Sequence, residues 1–317
     1  MTDTQNEVFK TPVNKIRLFE HGAPGSQNLK LTRKYYTEDM PDGRVKHIVQ
    51  NITDPDIVPY IPDGIGNSTD RQRIPAVLII PGGAFRRLVY NFEGEDVAKW
   101  LNSMGIAAFV LECRLPSDEH DNAEDVPLID AMRAMRVIRG RAQEFGIDEA
   151  KIGVMGFSAG GFMAALLSTA YESDVYADYK YKDEYDKLSA RPDFAVCSYP
   201  VISIDDCIEA GKRYMSEKQV LERISDGKAK ILHKYNPDKL VRPDMPPVFI
   251  CETDDDRTTL SENSVGFYMA ARKAGVSAEL HIFRTGGHGY GCGDDFAQTG
   301  EWKVLFTKWI KSIEIIS

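Results

Sequence analysis

The segment that most constrains this chain is a Gly-x-Ser-x-Gly motif centred on Ser158, which directly follows a short apolar run. That run, residues 152–157, predicts a buried strand, and the small and apolar residues at 159–169 predict a helix. Gly156 and Gly160 permit a tight turn, because a strand and a helix that meet so closely leave no room for a Cβ. A serine at such a turn is exposed as a nucleophile. The N-terminus of the following helix points at the negative charge that forms when the serine attacks a carbonyl.

Composition argues against several other classes of function. The 317 residues include 39 basic and 48 acidic side chains, and the net charge of −9 disfavours nucleic acid or an anionic membrane as the main partner. The first residues lack a basic segment followed by an apolar core, so we expect no signal peptide. No apolar run approaches the roughly 20 residues of a membrane span. The five cysteines lack Cys-x-x-Cys spacing, which predicts reduced thiols in a cytoplasmic protein rather than disulfides or a zinc site.

Strands and helices alternate along most of the chain. Short continuous apolar runs predict strands, and apolar residues at helical spacing predict helices. The predicted strands are residues 76–80, 106–111, 152–157, 194–199, 248–252 and 278–283. The predicted helices are residues 93–104, 127–145, 159–169, 260–274 and 301–316. This alternation predicts an α/β fold with a mostly parallel central sheet and helices on both faces.

Two regions depart from the alternation. Residues 1–70 are rich in Pro, Gly, Asp and Asn, with strand-like pieces at 29–36 and 57–61, and we expect an antiparallel edge hairpin within loops. Residues 203–245 are longer than a simple crossover needs. We interpret them as an insertion at the carboxyl ends of the strands, where it would cover the site. We expect residues 1–317 to form a single domain.

A serine hydroxyl becomes a strong nucleophile when a base takes its proton, and we select His288 as that base. His288 lies in a glycine-rich loop after the predicted strand at 278–283, where an imidazole can reach over the carboxyl edge of the sheet. His281, within that strand, is expected to be a packed or edge residue. The remaining histidines lie in polar, irregular surroundings and are expected at the surface; they are His21, His47, His120 and His233.

The acid that orients such a histidine is expected between the serine and the histidine in chain order. Asp254, Asp255 and Asp256 directly follow the predicted strand at 248–252. Three adjacent carboxylates are also typical of a solvated acidic loop. The residues themselves leave Asp255 and Asp256 as alternatives.

An oxyanion hole needs backbone N–H groups that bulky neighbours do not block. The Pro-Gly-Gly-Ala-Phe sequence at 81–85 follows the predicted strand at 76–80, at the same edge of the sheet as the serine. We assign the donors to Gly83 or Ala84, and to Ala159 after the nucleophile.

Together these motifs resemble the acetyl-esterase branch of the α/β-hydrolases, which groups acetyl-xylan-esterase-like with feruloyl-esterase-like proteins. The resemblance extends over residues 18–316, with its motifs in the family's order. They are Pro81-Gly82-Gly83, Glu93-Gly94-Glu95, Trp100-Leu101-Asn102, Arg114-Leu115-Pro116, the residues at 156–161, Tyr199-Pro200-Val201-Ile202-Ser203, Glu262-Asn263-Ser264 and Gly286-Gly287-His288-Gly289. The resemblance implies the α/β-hydrolase fold with a small insertion over the active site.

The resemblance also implies a triad of Ser158, His288 and an acid from the Asp255/Asp256 pair. We choose Asp256, because related hydrolases commonly place the acid three residues before a Val- or Thr-like position, which Thr259 fills. The implied reaction is hydrolysis of short-chain, acetyl-type carboxylic esters, often on sugars such as xylo-oligosaccharides. It needs no metal and no organic cofactor, and its partner is a small-molecule ester.

Several positions differ from the common family pattern and bear on the substrate. Ile80 and Phe162 stand where many members have a histidine, and Ala84 replaces a third glycine. We expect Phe85 and Phe162 to line the substrate pocket. The rival functions are a serine peptidase or amidase, a feruloyl esterase, and a non-catalytic binding protein that retains the fold. No recognisable site for a peptide terminus stands out, and an intact Ser, acid and His set argues against a binding protein.

Overall fold

The fold is organised around an eight-stranded sheet. The structure is a computed structural model, and it describes residue 9 and residues 13–65, 73–225, 231–293 and 297–317. The strands are β1 Ile16–Arg17, β2 Lys34–Asp39, β3 Val45–Gln50, β4 Asp56–Tyr60, β5 Ile74–Ile80, β6 Leu88–Val89, β7 Ala107–Glu112, β8 Ile147–Phe157, β9 Ala195–Ser198, β10 Val248–Thr253 and β11 Ala278–Phe283. The α-helices are α1 Asp96–Ser103, α2 Val126–Gly140, α3 Ala142–Phe145, α4 Ala159–Ala170, α5 Ile204–Gly211, α6 Glu217–Ser225, α7 Ile231–Lys234, α8 Ser261–Lys273, α9 Ala297–Gly300 and α10 Trp302–Ser312.

The central sheet has the strand order β1-β4-β7-β5-β8-β9-β10-β11. Neighbouring strands from β7 to β11 run parallel, whereas β1 and β4 are antiparallel additions at one edge. Every residue of β7 is buried, and so is nearly every residue of β5. Because successive side chains of a strand point to opposite faces, both faces of the sheet are covered. The predicted α/β architecture, a mostly parallel sheet between helices, is confirmed.

Two of the predicted helices are divided in the structure. The helix predicted at 93–104 begins as a π-helical turn, Asn91–Glu95, before α1. The helix predicted at 127–145 is α2 followed by the short α3, which ends at Gly146 with φ of +68°. β8 also begins five residues earlier than predicted, since the charged Asp148, Glu149 and Lys151 interrupt the apolar run that indicated the strand.

The N-terminal region contains a second sheet rather than a hairpin at the edge of the first. β2 and β3 form an antiparallel hairpin in which Lys34 pairs with Gln50, and β6 adds to β3. The strand predicted at 57–61 corresponds to β4, which joins the central sheet beside β7. β3 gave no prediction, because Lys46, His47 and Gln50 interrupt its apolar residues.

The insertion between β9 and β10 is helical. It comprises α5, α6, α7 and a 3₁₀ turn, Pro237–Lys239. Ser203 caps α5 by accepting a hydrogen bond from the Asp206 N–H. α6 places Arg223 at the cleft described below.

A hydrophobic cluster of buried residues extends from Phe9 to Ile315, and the single domain stays a prediction. All five cysteines are buried, and none forms a disulfide bond with another described residue. Among the helices of the described residues, none is both long and apolar enough to cross a bilayer.

Candidate active site

The turn between β8 and α4 holds Ser158 in a strained conformation. Its φ is +53° and its ψ is −117°, in a region that residues with a side chain rarely adopt. A Cβ at Gly156 would lie 1.9 Å from the Gly160 carbonyl oxygen, and one at Gly160 would lie 1.9 Å from the Ile80 carbonyl oxygen. The predicted crowding between strand and helix is therefore confirmed. This packing fixes the conformation of the turn, and Ser158 lines a cleft.

His288 lies within hydrogen-bond distance of the serine. Its Nε2 is 2.8 Å from Ser158 Oγ, and its side chain is 23 % exposed. The loop after β11 reaches this position through left-handed backbone conformations, with φ of +62° at Gly287 and +80° at Gly289. Glycine adopts these values without the strain that a Cβ adds, which explains why glycines surround the histidine.

Asp256 lies on the other side of the imidazole. Its Oδ2 accepts a hydrogen bond from His288 Nδ1 at 2.6 Å. Its Oδ1 accepts from the backbone N–H groups of Thr258 at 2.7 Å and Thr259 at 3.0 Å. The carboxyl is 1 % exposed. With Nδ1 donating to Asp256, Nε2 is free to accept the proton of Ser158 Oγ.

Asp255, the alternative acid, does not contact His288. It is exposed, and its Oδ1 accepts a hydrogen bond from the Gly287 N–H at 2.8 Å. Burial slightly disfavours its charge, but hydrogen bonds from Gly287 and Gly286 hold its pKa below the usual value. Asp255 thus anchors the loop that carries the histidine, while Asp256 contacts the ring.

The histidine and its acid shift each other's protonation. Burial alone would raise the pKa of Asp256, but the charge and hydrogen bond of His288 outweigh burial and lower it. Burial alone would lower the pKa of His288, but the charge and hydrogen bond of Asp256 raise it above its usual value. The pair therefore stabilises an imidazolium, which is the state that a base reaches after taking a proton.

Thr259 supports the acid and was missed as a functional residue. Its Oγ1 lies 2.9 Å from Asp256 Oδ2, 3.1 Å from His288 Nδ1 and 3.1 Å from the Tyr199 carbonyl oxygen. A hydrogen bond from Thr259 Oγ1 to Asp256 Oδ2 holds the carboxylate beside the imidazole, so we regard Thr259 as a positioning residue. In the sequence analysis, Thr259 serves only to locate the acid three residues before it.

Glu93 is a second residue that sequence reasoning missed. Its Oε2 accepts a hydrogen bond from the Gly82 N–H at 2.8 Å, and its Oε1 accepts from the Tyr199 hydroxyl at 2.9 Å. The Tyr199 hydroxyl in turn accepts from the Gly291 N–H at 3.1 Å. Burial raises the pKa of Glu93. The signal was present in the Glu93-Gly94-Glu95 motif, but a carboxylate at the start of a predicted helix resembles a solvated one.

The loop after β5 presents the expected oxyanion donors. Gly83 and Ala84 line the same cleft as Ser158, with φ of +140° and +57°. Within the described residues, neither N–H donates a hydrogen bond. Ala159 is the first residue of α4, so its N–H has no acceptor within the helix. The Gly82 N–H, by contrast, is already occupied by Glu93.

The two phenylalanines expected at the substrate pocket lie away from the cleft. Phe85 and Phe162 are buried, with ring centroids 5.5 Å apart in an edge-to-face contact. Phe85 lines a separate, mostly apolar space of about 260 Å³ together with Ala159 and Met163. The part of both rings in acyl recognition stays a prediction.

The other histidines divide into two groups. His21 and His233 are exposed as predicted, and His281 lies on the edge strand β11. The surface prediction is wrong for His120, which is buried with its Nδ1 3.0 Å from Ser26 Oγ, and whose pKa is lowered to about 4 by burial and by Arg114. It is also wrong for His47, which is half-buried in β3 and stacks on Phe9. The described residues contain no group of three His, Cys, Asp or Glu side chains able to hold a metal ion.

Known sequences match the chain over most of its length. A family model described as BD-FAE matches residues 65–270. Acetylxylan esterase of Xylanibacter ruminicola is 31% identical over 240 residues, which are 75% of this chain and 45% of that protein. Endo-1,4-beta-xylanase B of Butyrivibrio fibrisolvens is 31% identical over 227 residues, which are 71% of this chain and 34% of that protein. The chain thus spans less than half the length of these curated relatives.

Solved structures match the whole fold. The acetyl ester-xyloside bifunctional hydrolase from Caldicellulosiruptor lactoaceticus has a TM-score of 0.71 and 35% identity, covering 96% of this chain and 97% of that one. A carboxylesterase from Lactobacillus plantarum has a TM-score of 0.66 at 20% identity, covering 90% and 99%, and supports the fold alone. The chain therefore belongs to the BD-FAE family and has the α/β-hydrolase fold.

Proposed function

We propose that this protein is a serine carboxylic-ester hydrolase that removes short acyl groups, chiefly acetyl, from esters of sugars such as xylo-oligosaccharides. The observation that carries the proposal is the hydrogen-bonded series from Ser158 Oγ through His288 to Asp256, with distances of 2.8 and 2.6 Å. This is the arrangement that activates a serine for acyl transfer. The Xylanibacter and Caldicellulosiruptor proteins, which are named for acetyl esters and xylan or xylosides, support the choice of acyl group and alcohol.

The first step forms an acyl-enzyme. Ser158 Oγ attacks the carbonyl carbon of the ester while His288 Nε2 takes the hydroxyl proton. Asp256 stabilises the imidazolium that results. The N–H groups of Ala159 and of Gly83 or Ala84 hold the oxyanion. As the tetrahedral intermediate collapses, His288 gives its proton to the departing alcohol and the bond between the carbonyl carbon and the alcohol oxygen breaks.

The second step repeats this sequence with water. His288 takes a proton from a water molecule, whose oxygen attacks the acyl carbon, and the N–H groups again hold the oxyanion. Collapse returns the proton to Ser158 Oγ and releases the carboxylic acid. Both steps use only groups of this chain and water.

The decisive experiment compares wild type with Ser158→Ala on p-nitrophenyl acetate. We expect kcat to fall by roughly 10³-fold or more, because the variant has no nucleophile, while circular dichroism and the melting temperature stay close to wild type. Labelling by a fluorophosphonate probe should occur in the wild type and not in the variant. Near-wild-type turnover by a folded Ser158→Ala variant would contradict the proposal.

An ester panel tests the acyl group and the alcohol. It runs from acetate to octanoate, includes feruloyl esters and an amide, and adds acetylated xylo-oligosaccharides. We expect the highest kcat/KM on acetyl esters. A clear preference for feruloyl or long-chain esters, or for the amide, would identify one of the rival hydrolases instead.

We further propose that the protein works in the cytoplasm. The support is that the five cysteines form no disulfide bonds among the described residues, as is usual in a reducing compartment. Fractionation of the native cells with detection by antibody tests this location, and recovery of the protein outside the cytoplasm would contradict it.

A further inference from the structure

The cleft at Ser158 is lined by several basic side chains that have no role in the proposed steps of ester hydrolysis. It encloses about 910 Å³, solvent at its mouth included. Among the described residues that line it, five are basic, and Glu93 alone is acidic. The basic residues are Arg44, Lys46, Arg86, Arg87 and Arg223. The chain as a whole has the opposite balance, with 39 basic and 48 acidic side chains, so the local excess is not a property of the general surface.

The basic side chains reach the cleft from three separate parts of the chain. Arg44 and Lys46 come from the turn after β2 and from β3. Arg86 and Arg87 follow the loop of oxyanion donors. Arg223 comes from α6, within the insertion. Because these segments are far apart in sequence, one local stretch rich in basic residues does not account for their meeting at one cleft.

Two of the five charges are largely neutralised. Arg87 pairs with Glu38 at 2.5 Å, and Arg44 pairs with Asp42 at 2.8 Å. Such pairs hold the side chains in place and leave little net charge for a ligand.

Lys46 and Arg223 differ from the paired arginines. Within the described residues, the Lys46 side chain has neither a hydrogen bond nor an ion pair, and the Arg223 side chain donates only to the Arg257 carbonyl oxygen, at 2.9 Å. Lys46 is half-buried. The positive charge of Lys46 also opposes the rise in the pKa of His288, so its field reaches the proposed base. A partly buried cation without an ion-pair partner, such as Lys46, attracts an anion more strongly than a fully exposed one does, since screening by water is reduced there.

We propose that the natural substrate is an anionic ester, whose carboxylate or sulfate group lies on the alcohol portion and is bound by Lys46 and Arg223. This inference rests on the proposed esterase function. An acetyl group is small and uncharged, so a charge that reaches the rim of the cleft must belong to the alcohol. For a sugar ester, a uronic acid residue beside the acetylated sugar has the required chemistry.

The test uses matched acetylated oligosaccharides: one with a uronic acid, one with that carboxyl reduced to the alcohol, and one with a sulfate instead. The readout is the ratio of kcat/KM for each acidic substrate to kcat/KM for the neutral one, at low and high salt. In the wild type we expect a ratio of about tenfold or more at low salt, because a charge-assisted hydrogen bond contributes that much. The ratio should fall as salt screens the charges. Whichever acidic substrate gives the higher ratio identifies the anion.

Variants assign the preference to the two cations. Lys46→Gln combined with Arg223→Gln should bring the ratio near one, whereas Lys46→Arg should retain most of it. The matched control is Lys311→Gln, an exposed lysine at the end of α10. The segment that follows α10 lies near the start of β8, where Lys151 Nζ donates a hydrogen bond to the Ile315 carbonyl oxygen. Ser158 follows the other end of β8, so Lys311 lies at the end of the strands away from the cleft. Its ratio should match that of the wild type.

Two results would overturn the inference and leave the esterase standing. One is a wild-type ratio of one or less at low salt while the neutral ester is hydrolysed. The other is an equal loss on acidic and neutral substrates in Lys46→Gln at a pH above the inflection, where His288 is neutral in both proteins, since that would place Lys46 in the reaction itself. If no ester is hydrolysed, the proposed function fails, and calorimetric binding of the same oligosaccharides to Ser158→Ala still measures the preference for the anion.

Discussion

The turn at Ser158 and the rim of the cleft above it are built in different ways. At the turn, backbone approaches backbone so closely that Gly156 and Gly160 have no space for a Cβ, and the acid beside the base is 1 % exposed. At the rim, Lys46 is half-buried and Arg223 is exposed, and their side chains have few partners among the described residues. Close packing therefore fixes Ser158 and Asp256, which we propose for bond breaking. Lys46 and Arg223, which we propose for substrate choice, have few contacts that hold them in place. Substitutions at the two places should have different kinetic signatures.

The largest effect on the rigid side is expected at the acid. Asp256→Asn should lower kcat by about 10⁴-fold, because an asparagine neither stabilises the imidazolium nor enforces the tautomer. Asp255→Asn is the matched control: its amide oxygen can still accept from the Gly287 N–H, so its loss should be less than about tenfold. Steady-state kinetics on p-nitrophenyl acetate measure both, and a greater loss at Asp255 would reverse the assignment.

A smaller effect is expected at Glu93, which we regard as a positioning residue. Glu93→Gln removes the negative charge and leaves one oxygen for two donors, which should loosen the Gly82 loop. We expect kcat to fall by about 10- to 100-fold with KM little changed, since misplacement affects the oxyanion more than the bound ester.

The control for Glu93 is Glu95→Gln, two residues along the chain, where the carboxylate is 30% exposed and pairs only with Lys99 among the described side chains. Its kcat should stay close to wild type. If Glu93→Gln changed the melting temperature alone and left kcat intact, its role would be structural.

The smallest expected effect is a shift in the pH dependence of kcat/KM, which depends on both the turn and the rim. The base must be neutral to accept a proton, and the pKa of His288 is raised, so kcat/KM should fall on acidification with an inflection above pH 6.5. Asp256→Asn removes the negative charge that raises this pKa and should move the inflection to lower pH. Lys46→Gln removes a positive charge that opposes the imidazolium and should move it to higher pH. Shifts in the reverse directions would show that other groups control the profile.

The features that the sequence predicts best are those formed by residues close together in the chain. The strand, turn and helix around Ser158 lie within one short segment, so spacing and small residues were sufficient to place them. The choice between Asp255 and Asp256 needed the geometry of their turn, because adjacent carboxylates differ only in direction.

Interactions between distant segments were not predictable in this way. Glu93 acquires its role from Tyr199, a partner more than one hundred residues away, and His120 is buried through Ser26 at a similar separation. β3 is polar at several positions and buries Ile48 and Val49 only because β2 and β6 pair with it. Partners of this kind are supplied by the assembled fold.

The series Gly82–Glu93–Tyr199–Gly291 connects the two loops that flank the serine. One loop presents the expected oxyanion donors, and the other begins just after the histidine. Since each junction is buried, separating the loops would expose a carboxylate and a phenol that no longer have their partners. We therefore expect the two loops to behave as one cooperative unit, so that a disturbance on one side of the serine affects the other.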